Sequence, residues 1–281
     1  VKQAVKENKD FIPKIIIAIG GGSSLDMGKL IKFELSNSGL MLKDIPITAV
    51  PTTCGTGSEA TQFATFYKDG IKQSADDPIL LPTTIVLDPE LLIEMPSQVM
   101  ASTIIDAFCQ AIESFWSIKS NERSSQFAEE AIEIIWNHGL AAYKNRDIDE
   151  LRLIQKAAYL SGQAIQITRT TAAHSLSYPM TSRFGVPHGE AVALTLPYFL
   201  EFNSNVNDNS NIDERGIQFV KEKMSDIINF LGCESPHEAK DLLIKLFKPA
   251  CILLLFSVTA ISLTSSSVSW GFLAVISTPS I

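Results

Sequence analysis

The sequence predicts an α/β domain that is followed by an all-helical domain. Up to about residue 97, short apolar runs alternate with turns rich in glycine and threonine, which is typical of a sheet with intervening helices. Beyond Pro96 the apolar residues recur at three- and four-residue spacing, the period of an amphipathic helix. This change of pattern divides the chain into residues 1–97 and residues 98–281.

The first predicted element is a buried parallel strand that ends at a glycine turn. In IIIAIGGGSSLDMGK, residues 15–29, five apolar residues precede three glycines, and Ser23, Ser24 and Asp26 are helix-starting residues. A strand, a glycine turn and a helix start present free backbone N–H groups and the positive end of the helix dipole to an anion. The stretch therefore predicts a phosphate site, with a plain tight turn as the alternative.

Two further strands are predicted at IPITAVPTT (45–53) and TTIVLDPELL (83–92), and both are expected to be buried. The first runs into PTTCGTGSEAT (51–61), whose small hydroxyl residues and glycines can wrap a sugar or a pyrophosphate closely. A loop that caps itself through its Ser and Thr side chains is the alternative. Two such loops at the carboxyl ends of strands favour a ligand at that edge of the sheet.

The helical half holds the candidate metal ligands. Asp106 and Gln110 lie four residues apart on one face of a predicted helix, with Glu113 one turn further on. His174 and His188 lie downstream, each among small residues, Pro and Gly. One Asp with two His is a suitable set for a divalent ion that keeps an open position, either zinc or iron(II). Structural histidines and a merely polar helix face are the alternative.

The composition argues against several classes of partner. A formal net charge of -8, without a basic stripe, argues against nucleic acid. Four scattered cysteines and a polar N-terminus predict free thiols and a cytoplasmic protein. After Lys248 the tail, residues 249–281, has no charged residue. A membrane anchor is one hypothesis for this tail and a non-native C-terminus is the other, and the anchor is the less favoured because the rest of the chain has the pattern of a soluble protein.

Five ordered sequence blocks between about residues 12 and 205 resemble the iron-containing (group III) alcohol dehydrogenase family. They are GGGSSLDMGK, PTTCGTGSEAT, LDPELL, MPSQVMASTIIDAFCQAIES and HSLSYPMTSRFGVPHGEAVALTLP. The segment TRTTAAHSLSYPMTSRFGVPHGEAVAL is most similar to the branch that contains phosphonoacetaldehyde reductases. The resemblance implies a dinucleotide-binding α/β domain that precedes a metal-binding helical domain, with NAD or NADP and Fe(II) or Zn(II) as cofactors.

The resemblance also implies roles for single residues. In the family the GGGS turn receives the dinucleotide pyrophosphate, the second loop contacts the nicotinamide ribose and the phosphates, and a lysine contacts a ribose. The implied cofactor-binding residues are Gly20, Gly21, Gly22, Ser23, Asp26, Thr52, Thr53, Thr56, Ser58 and Lys72. The family holds its metal with one Asp and three His, and the matching positions here are Asp106, Gln110, His174 and His188.

The sequence departs from the family pattern at three places. Gln110 stands where the family has a histidine, and because a neutral amide oxygen is a weaker ligand we expect weaker metal binding or three close protein ligands. Tyr178 stands where many members carry a histidine thought to help relay a proton; its hydroxyl can substitute, or its ring can simply pack. Residues 1–97 are also expected to lack the family's first β-α units.

These observations predict a metal-dependent, NAD(P)-linked oxidoreductase that interconverts a primary alcohol and an aldehyde, with Tyr178 and Arg169 as catalytic candidates. Arg169 lies five residues before His174 and can hold an anionic group of a substrate such as phosphonoacetaldehyde, with a surface position or an ion pair to a helix carboxylate as the alternative. A dehydroquinate-synthase-like lyase and a catalytically impaired fragment are the rival hypotheses. The expected partner is a small alcohol or aldehyde, and the oligomeric state, for which a homodimer is one hypothesis, is left open.

Overall fold

The computed structural model describes residues 13–37, 45–68 and 71–248, and for residues 67, 68, 71 and 72 it describes the backbone alone. In this part of the chain an α/β region precedes a set of packed helices, which confirms the predicted fold class. The uncharged tail, residues 249–281, lies outside the described residues. Within the described ranges, the structure contains no helix with the length and apolarity that a membrane span requires.

The α/β region contains five strands and one long helix. The strands are β1 (Ile16–Gly20), β2 (Ile47–Pro51), β3 (Phe63–Lys68), β4 (Ile71–Asp76) and β5 (Thr84–Ile85), and helix α1 (Gly22–Asn37) follows β1. Strands β1, β2 and β5 form a parallel sheet in that order, while β3 and β4 form an antiparallel hairpin. Gly20 lies opposite Pro51 in the register, so the loops that follow β1 and β2 begin side by side.

The prediction of a buried strand is wrong for β1. Helix α1 packs on the face of β1 that carries Ala18, which is buried with Leu25 of the helix and Ala49 of β2. Side chains alternate across a strand, so Ile17 and Ile19 lie on the opposite face, where they are 59% and 60% exposed. The run 83–92 also forms less strand than predicted, because β5 has only two residues and a short 3-10 helix occupies Pro89–Leu92.

Eight further helices make up the rest of the described chain. They are α2 (Ser97–Trp116), α3 (Glu122–Asn145), α4 (Ile148–Thr168), α5 (Ala172–Phe184), α6 (His188–Ala193), α7 (Leu196–Ser204), α8 (Ile217–Phe230) and α9 (residues 236–248). Beyond Pro96 the three- and four-residue spacing of apolar residues is found in the stretches 95–117, 124–145 and 151–165, and helices α2, α3 and α4 correspond to them.

Local residue choice sets where α3 and α4 begin. Asn121 and Ser124 form a reciprocal capping box at the start of α3, and the Asp147 carboxylate accepts a hydrogen bond from the Asp149 backbone N–H at the start of α4. Such caps satisfy backbone donors that have no acceptor within the helix. The start of α5 is different, because its capping group comes from another helix.

Helix α2 is the centre of the helical half. Its residues Ile112 and Phe115 are buried in one large core together with Ile132 of α3 and Ile154 of α4. Since neighbours surround α2, its polar residues are buried as well, which is unusual for charged side chains and requires partners for them. The candidate metal ligands predicted on this helix are among those residues.

The α/β region and the helices share this core. Cys54, Leu92 and Met95, from the first region, belong to the same buried cluster as the helical residues. The loop after β2 touches α4 directly: a Cβ atom on Gly57 would lie 2.4 Å from the Cα atom of Gly162. The carboxyl edge of the sheet is therefore held against the helices, and the division at residues 97 and 98 stays a prediction.

Candidate active site

The two loops predicted to bind a dinucleotide touch each other at the carboxyl edge of the sheet. A Cβ atom on Gly22 would lie 2.6 Å from Cγ2 of Thr56, and one on Gly21 would lie 3.2 Å from Cγ2 of Thr53. The first distance is shorter than any normal carbon contact, so a side chain at Gly22 would push the loops apart. The glycines permit this close approach of the two loops.

The same edge contains the start of α1. The backbone N–H of Thr52 donates to the carbonyl of Gly20 at 3.0 Å, which ties the loops together at their base. Helix α1 begins at Gly22, and the first N–H groups of a helix have no intrahelical acceptor. Ser23 is exposed at this end of the helix. The predicted anion-accepting turn is therefore present, while the side chain of Lys72 lies outside the described part of the chain.

Next to the second loop lies a group of five residues, all buried except Thr65, that we call the Lys29 cluster: Asp26, Lys29, Ser58, Thr61 and Thr65. The Lys29 Nζ atom donates to Ser58 Oγ at 2.9 Å and to Thr61 Oγ1 at 3.1 Å. The Asp26 carboxylate accepts from Ser58 Oγ at 2.6 Å and from Thr65 N and Oγ1 at 2.8 Å each. These contacts fasten the second loop to α1.

This network changes the interpretation of two predicted cofactor residues. Asp26 and Ser58 are buried, and Ser58 Oγ bonds to both Lys29 and Asp26, while their contact with a cofactor stays a prediction. Burial lowers the pKa of Lys29 to about 8, although the charges of Asp26 and Glu59 oppose the shift. Burial likewise raises the pKa of Glu59 to about 7.

In the helical half, three ligand atoms converge from three helices. Asp106 lies in the middle of α2, His174 in the first turn of α5, and His188 at the start of α6. Asp106 Oδ1 is 3.3 Å from Nε2 of His174 and 3.9 Å from Nε2 of His188. One ligand atom from each residue lies within 4.8 Å of the other two. We call these residues the ligand triad; the convergence matches the site predicted from the sequence.

A close helix contact brings His188 to Asp106. A Cβ atom on Gly189 would lie 1.9 Å from the carbonyl oxygen of Ser102 and 3.0 Å from the backbone nitrogen of Asp106. The backbone of α6 therefore lies directly on α2, at a distance that only glycine permits. On the outer side of the ring, Nδ1 of His188 lies 3.2 Å from Ser177 Oγ.

The charge state of His174 depends on its two acidic neighbours. Burial lowers the pKa of His174, but the charge of Glu113 and the hydrogen bond that the ring donates to Asp106 outweigh it and raise the pKa to about 9. The same ring holds the pKa of Glu113 below its usual value despite burial. A metal ion at Nε2 would replace a proton, so metal affinity is expected to increase with pH.

Two predicted site residues flank the triad with other contacts. Gln110 lies one turn after Asp106 on α2, and its amide oxygen is 3.1 Å from Ser161 Oγ. The Tyr178 ring stacks on the His188 ring, with centroids 6.1 Å apart and an interplanar angle of 14°. This ring contact supports the packing alternative for Tyr178. Its role as a proton relay stays a prediction.

Arg169 contacts the β3–β4 hairpin. Its guanidinium lies 2.6 Å from the Asp76 carboxylate and 4.8 Å above the Phe63 ring. Its backbone has φ 64° and ψ 173°, a region that non-glycine residues rarely adopt. These contacts resemble the ion-pair alternative, although the partner is a strand carboxylate and not a helix carboxylate. Binding of a substrate anion by Arg169 stays a prediction.

Several residues of the site carried signals that were not assigned a role from the sequence. Glu113 lies seven residues after Asp106 and therefore on the same face of α2. Gly189 directly follows a ligand, where a glycine indicates close backbone approach. Lys29 follows Asp26 by three residues on α1, which is the spacing of an ion pair.

Comparisons with known proteins agree with this geometry. The family model for iron-containing alcohol dehydrogenase matches residues 1–89, and the C-terminal model of the Fe-containing alcohol dehydrogenase family matches residues 100–249. A phosphonoacetaldehyde reductase from Streptomyces viridochromogenes is 33% identical over 238 residues, which cover 78% of this chain and 60% of that protein. The chain thus spans about 60% of the length of this curated relative.

Two solved structures are similar to the described fold. An iron-containing alcohol dehydrogenase from Thermotoga maritima superposes with a TM-score of 0.74 at 26% identity, over 88% of this chain and 66% of that one. A sulfoacetaldehyde reductase from Bifidobacterium kashiwanohense, in complex with NAD+, superposes with a TM-score of 0.68 at 26% identity, over 83% of this chain and 67% of that one.

Proposed function

The chain belongs to the iron-containing alcohol dehydrogenase family, and from this premise we propose that it is a metal-dependent, NAD(P)-linked oxidoreductase that interconverts a primary alcohol and an aldehyde. The observation that carries the proposal is the convergence of Asp106, His174 and His188 from three helices. The relatives described above, a phosphonoacetaldehyde reductase and an iron-containing alcohol dehydrogenase, favour the oxidoreductase over the lyase.

The donor set fits an iron ion. Two imidazoles and one carboxylate are a typical set for non-haem Fe(II), and the family description favours iron over zinc. Gln110 completes the proposed set as its weakest ligand, because an amide oxygen binds iron(II) less tightly than an imidazole. To bind the ion, that oxygen would exchange its contact with Ser161.

The proposed dinucleotide site is the edge where the two loops meet. We assign the phosphates to the turn of Gly20, Gly21 and Gly22 with Ser23, and the nicotinamide half to the hydroxyl loop with Thr52, Thr53 and Thr56. The close approach of the two loops at their glycines and the start of α1 at Gly22 support this assignment. When bound, the ion and the dinucleotide supply Lewis-acid and hydride-transfer chemistry.

The proposed substrate is a short aldehyde that carries an anionic group. The printed names of a curated relative and of a solved neighbour, phosphonoacetaldehyde reductase and sulfoacetaldehyde reductase, support this class of substrate. Tyr178, stacked against His188, is the candidate to move a proton to or from the substrate oxygen. Arg169 is the candidate to hold the anion, for which its guanidinium would have to leave Asp76.

The test removes the ligands one at a time. We expect His174→Ala and His188→Ala each to lose bound iron, and Gln110→His to bind it more tightly, because imidazole is the better ligand. The protein is reconstituted with Fe(II) without oxygen, and the retained metal is measured by elemental analysis. NADH and NADPH oxidation with propanal and with phosphonoacetaldehyde is then followed in the same samples.

His138→Ala is the matched control, because His138 also pairs with a carboxylate, Glu150 at 2.8 Å, but is not part of the triad. This variant should retain wild-type iron. Equal iron in the wild type and both alanine variants of the triad would show that the metal site is wrong. Bound iron without any NADH or NADPH oxidation would instead support the metal site and contradict the proposed oxidoreductase function.

A further inference from the structure

Glu113 joins the centre of α2 to the start of α5. The residue is fully buried, and its carboxylate contacts the ring of His174 and three backbone N–H groups. A buried carboxylate is costly unless donors surround it, and here donors do surround it. All of them belong to the segment that carries one member of the ligand triad.

One oxygen of this carboxylate fixes where α5 begins. Glu113 Oε1 accepts hydrogen bonds from the backbone nitrogens of Thr171 and Ala173 at 3.0 Å each, and from His174 at 3.5 Å. The Thr171 side chain, at the N-cap position, makes no capping bond to the helix in the described structure. Glu113 therefore caps α5 from a neighbouring helix and anchors its first turn to α2.

The other oxygen fixes the ring of His174. Glu113 Oε2 contacts Nδ1 of His174. An ionised carboxylate can only accept a hydrogen bond, so Nδ1 must carry the proton. In the neutral ring the lone pair is then on Nε2, the atom that faces Asp106 Oδ1 at 3.3 Å. The carboxylate thus selects the tautomer that can bind a metal at the position of the triad.

The ring of His188 is oriented differently. Ser177 Oγ donates to the backbone carbonyl of His174 at 2.7 Å, so the same oxygen accepts from Nδ1 of His188 at 3.2 Å. This partner is a neutral hydroxyl that also depends on the position of α5. Both histidine rings of the triad are therefore held by way of the helix that Glu113 anchors.

We propose that Glu113 is a positioning residue of the metal centre, which sets the tautomer of His174 and the place of α5 so that Nε2 is presented to the ion. This inference rests on the metal site of the proposed function. Glu113 does not contact the ion; it acts through His174. Outer partners that orient metal ligands typically change metal affinity by about 10–100-fold.

The test is the nearly isosteric variant Glu113→Gln. Its amide oxygen can still accept from the start of α5, which leaves the NH2 group against Nδ1 of His174 and forces the proton onto Nε2. We expect the variant to keep its helix content by circular dichroism and to bind Fe(II) about 10–100-fold more weakly in an anaerobic titration. Because His174→Ala is itself expected to lose the ion, adding Glu113→Gln to it should not lower the residual Fe(II) binding further.

Nuclear magnetic resonance of the ring nitrogens gives a second readout, with Zn(II) as a diamagnetic probe. In the wild type His174 should bind zinc through Nε2 with the proton on Nδ1, and in Glu113→Gln it should not. Glu150→Gln is the matched control, because it neutralises the carboxylate beside His138, at 2.8 Å, and should leave metal affinity unchanged.

Each outcome is decisive. A wild type that binds neither Fe(II) nor Zn(II) overturns the proposed metal site and this inference with it. A wild type that binds while Glu113→Gln binds equally well overturns the inference alone. If Glu113→Gln does not fold, Glu113→Asp replaces it: the shorter side chain cannot reach both the ring and the helix start, so wild-type affinity in that variant also overturns the inference.

Discussion

The Lys29 cluster and the ligand triad are both polar groups with buried side chains, but the polar atoms of the two groups face different kinds of partner. In the Lys29 cluster the ammonium donors meet hydroxyl and carbonyl oxygens, and the Asp26 carboxylate meets an N–H and two hydroxyls. In the ligand triad the inner atoms facing one another are a carboxylate oxygen and two ring nitrogens. In the first group donors meet acceptors, whereas the second brings three side chains that can each ligate a cation within 4.8 Å of one another.

The largest effect is expected on stability, and it comes from breaking the Lys29 cluster. Lys29→Met keeps most of the length of the side chain but removes the ammonium, so the oxygens of Ser58, Thr61 and Phe63 lose their buried donor and Asp26 loses its nearby cation. We expect the free energy of unfolding to fall by about 3–5 kcal/mol, as is usual when one partner of a buried pair is lost. Denaturant unfolding followed by circular dichroism measures the change.

Lys156→Met is the control for this variant. Its ammonium lies 2.6 Å from the Glu130 carboxylate, but both side chains are about half exposed, and such pairs contribute about 0–1 kcal/mol. If the two methionine variants were equally stable, the claim that the Lys29 cluster fastens the second loop to α1 would be wrong.

The next effect comes from displacing one member of the triad without changing a ligand. Gly189→Ala places a methyl group 1.9 Å from the Ser102 carbonyl oxygen, so α6 must move away from α2 and take His188 with it. We expect Fe(II) affinity to fall by about tenfold or more, as with other losses of ligand positioning. Anaerobic titration of the variant against the wild type provides the measurement.

Gly139→Ala distinguishes this displacement from a general cost of adding a methyl group. A Cβ atom on Gly139 would contact Ile104 and Ile135 at an ordinary 3.4 Å in the interior of α3. Alanine is the better helix former by about 1 kcal/mol, so this control should be neutral or stabilising and keep its metal. Wild-type metal affinity in Gly189→Ala would refute the close-contact argument.

The smallest effect on stability is expected at Arg169, whose ion pair is partly exposed to solvent. Its side chain is 35% exposed and that of Asp76 is 45% exposed, so Arg169→Ala should cost only about 1 kcal/mol of stability through the ion pair and the Phe63 contact. Because the guanidinium is also the proposed holder of the substrate anion, we expect kcat/KM on phosphonoacetaldehyde to fall by about tenfold or more, equal to 1.4 kcal/mol, with little change on propanal. Equal losses on both aldehydes would show that Arg169 does not hold the anion.

Sequence patterns predicted those parts of the site that depend on neighbouring residues. The strand, turn and helix around the three glycines follow from residues that are adjacent in the chain, as does the placement of Asp106 and Gln110 on one helix face. The two histidines were candidate ligands from their residue type and their small neighbours, and the match to a known family supported that role. Periodicity also placed α2, α3 and α4 within a few residues of their observed ends.

Burial depended on contacts between residues that are distant in the chain. The isoleucines of β1 have the composition of a buried strand, yet Ile17 and Ile19 are exposed because α1 covers only the opposite face. Asp26 and Ser58 belong to motifs that suggest cofactor contact, and only the packed structure shows that Ser58 Oγ bonds to Lys29 and Asp26. A one-dimensional pattern cannot show which polar atoms will meet, because hydrogen bonds form wherever the packed chain brings donor and acceptor together.

The metal centre shows the same division. The chemistry of the three ligands follows from the identities of Asp106, His174 and His188, since a carboxylate and two imidazoles suit a divalent ion wherever they lie. Whether those atoms lie within reach of one ion depends on the bare backbone of Gly189 against α2 and on the Glu113 carboxylate at the start of α5. Ligand type is a property of single residues, but coordination distance is a property of packed helices, and for that reason it became visible only in three dimensions.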